Sequence, residues 1–151
     1  MLELARLSDL AAINRLASQV HAMHVSWRPD IYETVQALYS PERLEEGIKA
    51  RSLYVARLSG ETVGYVLLKR RSFDWPGVVR RNVMLVDEIA VEESLRNQGI
   101  GKAMMEDVHA LAKAFGCTDL QLSVYPQNDG AVAFYQKCGF AIQSISMQRK
   151  V

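Results

Sequence analysis

The stretch Val83–Gly101, VMLVDEIAVEESLRNQGIG, runs from an apolar segment into a pair of glycines, and the fold is decided by how it is read. Val83 to Val91 has the length and β-branched content of a central strand, interrupted only by Asp87 and Glu88. From Ile100 the apolar positions Met104, Val108, Leu111 and Phe115 recur at helical spacing, and Gly116 supplies a left-handed terminus, so a long amphipathic helix is predicted. Gly99-Ile100-Gly101 therefore lies between a buried strand and the first turn of a helix. There, unpaired backbone N–H groups and the helix dipole attract phosphate oxygens. Without further context such a loop is equally an ordinary strand-to-helix connection.

Two nucleotide readings fail residue by residue. A phosphate-binding loop of the NTPase kind needs Gly where this chain has Arg96 and Ser or Thr where it has Ala103. A dinucleotide fingerprint needs a small residue three places after the second glycine, near the first strand of the domain, but the chain has Met104, far from its start.

Outward from this stretch the pattern alternates between strand and helix. Leu2 and Leu4 read as a short strand, and Ser8 offers an N-cap for a helix to about Met23 with Leu10, Ile13, Leu16 and Val20 buried. Ser40-Pro41 opens a second helix through Ala50. Ser52 to Leu58 and Thr62 to Lys69 form a hairpin about a Gly60 turn, and a long polar loop with Asp74-Trp75-Pro76-Gly77 leads into the central strand. Leu120, Leu122 and Val124 alternate as a strand, a helix runs over about Gly130 to Lys137, and Phe140 to Met147 is expected as a last strand. The order predicts an α+β fold, a mixed sheet with helices over it, in a single domain spanning residues 1–151.

Composition excludes several function classes. Lys and Arg number 18 against 17 Asp and Glu, and a net charge of +1 gives no general attraction to nucleic acid or an anionic membrane. No apolar stretch approaches the roughly 20 residues of a membrane span, so a cytoplasmic location is expected. Cys117 and Cys138 stand in apolar surroundings as structural thiols, and no Cys or His cluster has metal-ligand spacing, so no metal is expected. His21 and His24, one helical turn apart, read as surface histidines.

Arg96-x-x-Gly99-x-Gly101 after Asp87-Glu88-Ile89-Ala90-Val91, followed by Asn128-x-x-Ala131-x-x-Phe134-Tyr135-x-x-x-Gly139-Phe140, resembles the GNAT superfamily of acetyl-coenzyme A N-acetyltransferases, from the first strand to Met147. There are two departures. Asn97 stands where members usually have Gly, although Asn tolerates a left-handed backbone. The chain after Gly139 has room for one strand where many relatives have two, so the acceptor pocket is either more open or completed by another subunit.

The resemblance implies a GNAT-like, mostly antiparallel mixed sheet with helices on both faces, acetyl-CoA as cofactor, and a small-molecule or protein amine as acceptor, with a homodimer by analogy. It implies that amides from Gln98 through Gly99, Ile100, Gly101 and Lys102, with Asn97 in the same loop, hold the pyrophosphate. Main-chain groups along Ile89, Ala90 and Val91 would pair with the pantetheine arm as an added strand. Arg96 either contacts phosphate or is a solvated charge, and Asn128 either bonds the pantetheine arm or caps its helix. Tyr135 takes the position of the phenol that protonates the departing sulfur. Phe134 and Tyr135 point about 100° apart on a helix, so Phe134 takes the core and Tyr135 the cleft. Glu88 is the candidate base, a carboxylate in an apolar strand whose pKa a cleft would raise. Trp27, Asp30 and Tyr32, in the variable acceptor region, and Asp74 with Trp75 are the candidate substrate contacts. Catalysis by direct attack of the amine in a ternary complex is the leading expectation, and an acyl-CoA-binding sensor without turnover is the alternative.

Overall fold

The computed structural model describes all 151 residues. Strands β1 (Leu2–Leu4), β2 (Leu53–Leu58), β3 (Glu61–Phe73) and β4 (Arg81–Val91) pair antiparallel in chain order, and β5 (Asp119–Leu122) joins β4 in parallel. Helices α1 (Leu10–Trp27) and α2 (Pro41–Lys49) cover one face, and α3 (Ile100–Ala114) the other, with α4 (Asp129–Lys137) beside it. The α+β class and the mixed, mostly antiparallel sheet expected from the sequence are what the chain forms. No helix is long and apolar enough to cross a membrane.

Side-chain alternation along the strands builds two cores. Tyr54, Val66, Leu68, Met84 and Val86 meet Met104, Met105 and Val108 of α3, whereas Leu53, Val55, Tyr65 and Ala90 meet Ile13, Leu16 and Ala17 of α1 and Leu44 of α2. Gly64 is where β3 passes under α3: a Cβ there would lie 2.9 Å from the Ala90 carbonyl oxygen and 2.9 Å from Met104 Sδ. Only a residue without a side chain allows that approach.

Local chemistry explains most boundaries. Ser40 Oγ accepts the Arg43 amide at 3.1 Å and Pro41 takes the first helical position, as read from the sequence. The first helix departs from expectation. Ser8 caps nothing. A single 3-10 turn, Leu7–Asp9, precedes α1, and Asp9 Oδ2 accepts the Arg6 amide at 2.8 Å while Oδ1 accepts Thr62 Oγ1 at 2.9 Å. The helix runs on to Trp27, four residues past Met23.

The expected last strand does not form. Residues 140–151 make no ladder, because β5 pairs only with β4, and Ile142, Ile145 and Met147 are 72%, 80% and 91% exposed. The outer edge of β5 is free, yet the tail does not pair with it, so alternation alone does not make a strand.

Candidate functional site

The sheet opens at one place. Residues Val83–Val86 of β4 pair with Asp119–Leu122 of β5, and then β5 ends while β4 continues five residues. At that point β3 slips register: Leu67 faces Glu88 and Leu68 faces Val86, so Asp87 is an extra residue bulged out of the ladder. The bulge leaves Asp87 beside Lys69, 2.8 Å away, and turns Glu88 onto the same α1/α2 face. From Glu88 to Val91 only the β3 side is paired, leaving an unpaired edge about 13 Å long at the usual strand rise. The Glu92 amide bonds the Val63 carbonyl of the β3 connection at 2.8 Å. By the alternation of an antiparallel ladder, the main-chain groups of Ile89 and Val91 point to the open edge and those of Ala90 back to β3.

The glycine loop lies at the end of that edge. Asn97 and Gly99 both take left-handed backbones, with φ of 63° and 83°, so Asn97 adopts the conformation expected of a glycine there. The N–H groups of Asn97, Gln98, Gly99, Ile100, Gly101 and Lys102 donate to no protein acceptor, and the first bond of α3 is made by the Ala103 amide to the Gly99 carbonyl at 3.0 Å. Six free donors at the positive end of a four-turn helix are an anion nest. Gly99 opens onto it, with nothing within 4 Å of where a Cβ would stand. Helix α1 steadies the approach to this loop: Glu92 takes an ion pair from Arg15 and a 2.8 Å bond from Gln19 Nε2, and Gln19 Oε1 accepts the Glu93 amide.

Arg96 donates its Nε to the Val91 carbonyl at 3.2 Å, so neither the phosphate contact nor a free surface charge describes it fully. Asn128 Oδ1 caps α4 by accepting the Ala131 amide at 3.2 Å. Of its two readings the structure has the cap, and its Nδ2 is left over. Phe134 is packed on the α3-side core and lies 3.2 Å from where a Gly101 Cβ would be. Tyr135 stacks between Phe134 and Phe140, with centroids at 5.3 and 5.9 Å, and its hydroxyl meets no protein partner. Burial, aided by the Cys138 thiol, pushes that phenol up to about 12.

Glu88 is more engaged than a free base. Its Oε2 accepts the hydroxyls of Tyr39 and Tyr65, both at 2.8 Å, and its Oε1 accepts Arg43 Nη2 at 2.6 Å. Burial and the Glu88 charge hold both phenols far above their usual range, so they remain donors. Arg43 also lies over the Tyr39 ring at 3.8 Å.

The side of the opening toward the end of α1 is aromatic. Tyr32 and Tyr125 share a 2.8 Å hydrogen bond across 93 residues of sequence, tying the connection between α1 and α2 to the chain just after β5. His24 packs against Tyr32, Tyr125 and Trp27 with centroids 5.1, 5.6 and 5.9 Å away. Asp30 is gripped by Arg28 through two bonds of 2.9 and 2.8 Å, which hold its carboxyl down at about 2.

Trp27 and Tyr32 thus share the His24 cluster, Asp30 is held by Arg28 beside it and Glu88 by Tyr39, Tyr65 and Arg43, but Asp74 and Trp75 lie elsewhere. They stand in the β3–β4 turn, Asp74 against Arg80 and Trp75 against Phe73. Seven residue steps along β4, from Arg81 to Glu88, separate that end from the bulge, about 23 Å at strand rise. Sequence reasoning missed His24, Tyr39, Arg43, Tyr65 and Tyr125. Only the helical spacing of His21 and His24 was a visible signal, and the expected surface pair is not what forms: both are half-buried against Tyr32, with His21 Nε2 2.7 Å from the Glu33 carbonyl.

The model of the acetyltransferase (GNAT) family matches residues 20–140. The chain is 34% identical over 107 residues to the uncharacterized N-acetyltransferase YvbK of Bacillus subtilis, covering 70% of this chain and 63%, less than two thirds, of that protein. Among solved structures, a single-substitution variant of the BH1408 protein from Bacillus halodurans superposes with a TM-score of 0.94 at 25% identity, over 100% of this chain and 99% of that one. An aminoglycoside N-acetyltransferase, AAC(6')-Iy in complex with CoA, has a TM-score of 0.67 at 18% identity, over 100% and 99%, a likeness of fold alone.

Proposed function

The chain belongs to the acetyltransferase (GNAT) family, and we propose that it transfers the acetyl group of acetyl-CoA to a primary amine by direct attack within a ternary complex. One observation carries this reading: six unpartnered amides, Asn97 to Lys102, continue the strand edge of Ile89 and Val91, which pairs with no strand and whose Val91 carbonyl is met only by Arg96 Nε. Together they match the two unlike parts of one ligand. A pyrophosphate needs converging N–H donors, and an amide-bearing pantetheine arm needs a strand edge to pair with. The CoA bound to the aminoglycoside acetyltransferase of like fold agrees with the choice of ligand.

Three chemical tasks follow. Tyr135, a protonated phenol with no protein partner, gives its proton to the departing sulfur. Glu88, at the bulge where the opening begins, supplies the negative charge that draws a cationic amine to the thioester, and Tyr39, Tyr65 and Arg43 fix its orientation. Trp27, Tyr32 and Tyr125 offer aromatic faces to that cation.

The test is release of free thiol from acetyl-CoA against a panel of amines comprising spermidine, n-butylamine, an aminoglycoside and a peptide with a free N-terminus. Turnover with at least one amine is expected. Acetyl-CoA binding without thiol release from any of them would favour the sensor reading instead.

A further inference from the structure

Glu88 has both oxygens occupied by donors, which leaves open where the amine's proton goes. We propose that His24 is the group that takes it, an assignment that rests on the acetyl-transfer reading above. Three placements lead there. His24 ends α1 beside the opening, with its ring against Tyr125 on the β5 side and Tyr32 on the loop side. Unlike His21, whose Nε2 is bonded to the Glu33 carbonyl, the His24 imidazole has no hydrogen-bond partner in the protein and is free to accept one. It is half-buried on the same face of the sheet as Glu88 and within reach of its field, so the charge that draws an ammonium also acts on this ring.

The charged and titratable groups around it act in both directions. Burial and the neighbouring His21 disfavour its charged form and Glu88 favours it, with a net lowering from its ordinary 6.5. Tyr32 and Tyr125 face it with their hydroxyls bonded to each other, and Arg28 at the helix end is spent on Asp30 and Gln148. A neutral imidazole at neutral pH is the form that accepts a proton.

The step balances as follows. One ammonium proton moves to the His24 imidazole. The freed lone pair forms the N–C bond to the acetyl carbon, and the C–S bond breaks with its electrons on sulfur. The Tyr135 phenol protonates that sulfur, and the surplus proton on the new amide nitrogen returns to the phenolate. His24 hands its proton to solvent, so the sum is amide, thiol and one released proton.

The experiment compares wild type with His24→Gln, reading thiol release with the best amine of the panel from roughly pH 5 to 9, beside a proton NMR titration of the His24 ring. Expected in wild type is an acid limb in kcat/KM for the amine with a midpoint below 6.5. In His24→Gln the limb should vanish and turnover fall about 100-fold, with KM for acetyl-CoA kept and partial rescue by free imidazole. The ring of free wild type should titrate below 6.5, and Glu88→Gln should move that midpoint lower still. An acid limb unchanged in His24→Gln, with turnover within twofold, overturns the proposal and leaves the acetyl-transfer reading standing. A ring midpoint in free wild type that does not coincide with the acid limb of kcat/KM overturns it too. Absence of thiol release in wild type with every amine overturns the acetyl-transfer reading itself, and this assignment with it.

Discussion

Replacing Tyr135 by Phe removes one oxygen and almost nothing else. The ring keeps its contacts with Phe134 and Phe140, at 5.3 and 5.9 Å, and because the hydroxyl bonds to no protein group its loss leaves no orphaned partner. Stability should therefore change by less than about 0.5 kcal/mol. Catalysis should change far more. A positioned general acid contributes about 100-fold or more, or about 2.7 kcal/mol of barrier. Since burial pushes this phenol up to about 12, it is protonated in wild type throughout roughly pH 6 to 9, and the loss should be the same at every pH in that window. Cofactor binding should be nearly untouched, so kcat falls while KM for acetyl-CoA stays. Thiol release measured under saturating amine, with a thermal melt as control, reads all of this. Turnover within twofold of wild type across the window would refute the assignment of Tyr135 as the acid.

Other outcomes follow from the same geometry. Burial opposes ionisation of Asp9, but Arg57 at 2.9 Å, the Arg6 amide and Thr62 together outweigh it and lower its pKa below the usual 3.8. Its contribution to stability is therefore full above about pH 4 and lost as pH falls through the lower folded value; Asp9→Asn should cost on the order of 3 kcal/mol at neutral pH in urea melts, with the cost shrinking in acid. Gly64→Ala would push a methyl against the Ala90 carbonyl oxygen and Met104 Sδ, and an overpacking loss of about 1 to 3 kcal/mol is expected from the same melts. Tyr32→Phe breaks the bond to Tyr125 that spans the acceptor side, so KM for the amine should rise several-fold with KM for acetyl-CoA unchanged in initial-rate kinetics.

The half of the site that faces the cofactor was legible in the sequence because it is built from neighbours. Gly99, the helical spacing from Ile100 and the left-handed tolerance of Asn97 lie within a few residues of one another, and backbone geometry follows from such local choices. Ser40-Pro41 foretold its helix for the same reason. The acceptor half was not legible. Tyr32 meets Tyr125 across 93 residues and Tyr39 meets Glu88 across 49, and no periodicity encodes a contact between two loops or between a loop and a strand. The alternation of Asp87 and Glu88 implied opposite faces. The bulge breaks that alternation: Asp87 pairs with Lys69 and acts on Tyr39, so both acids lie on the α1/α2 face, and Glu88 is aimed at the buried tyrosines and not into an empty cleft. Asp74 and Trp75 were misplaced because the hairpin carrying them runs to Phe73, beyond the Lys69 limit that residue type suggested, and so takes them to the far end of the sheet. The tail from Phe140 has a strand's pattern but does not pair with the free outer edge of β5, and alternation carries no signal for that.

Calorimetric titration of acetyl-CoA into wild type and into Gly99→Trp tests the central claim most directly. Position 99 faces open space above the six free amides, so an indole there fills the nest, and Gly99→Ala carries the same left-handed strain, about 1 to 2 kcal/mol, without the bulk. The account predicts one site per chain in wild type, binding kept in Gly99→Ala, and no measurable binding in a folded Gly99→Trp. Equal affinity in wild type and Gly99→Trp, or no heat with wild type, would contradict it.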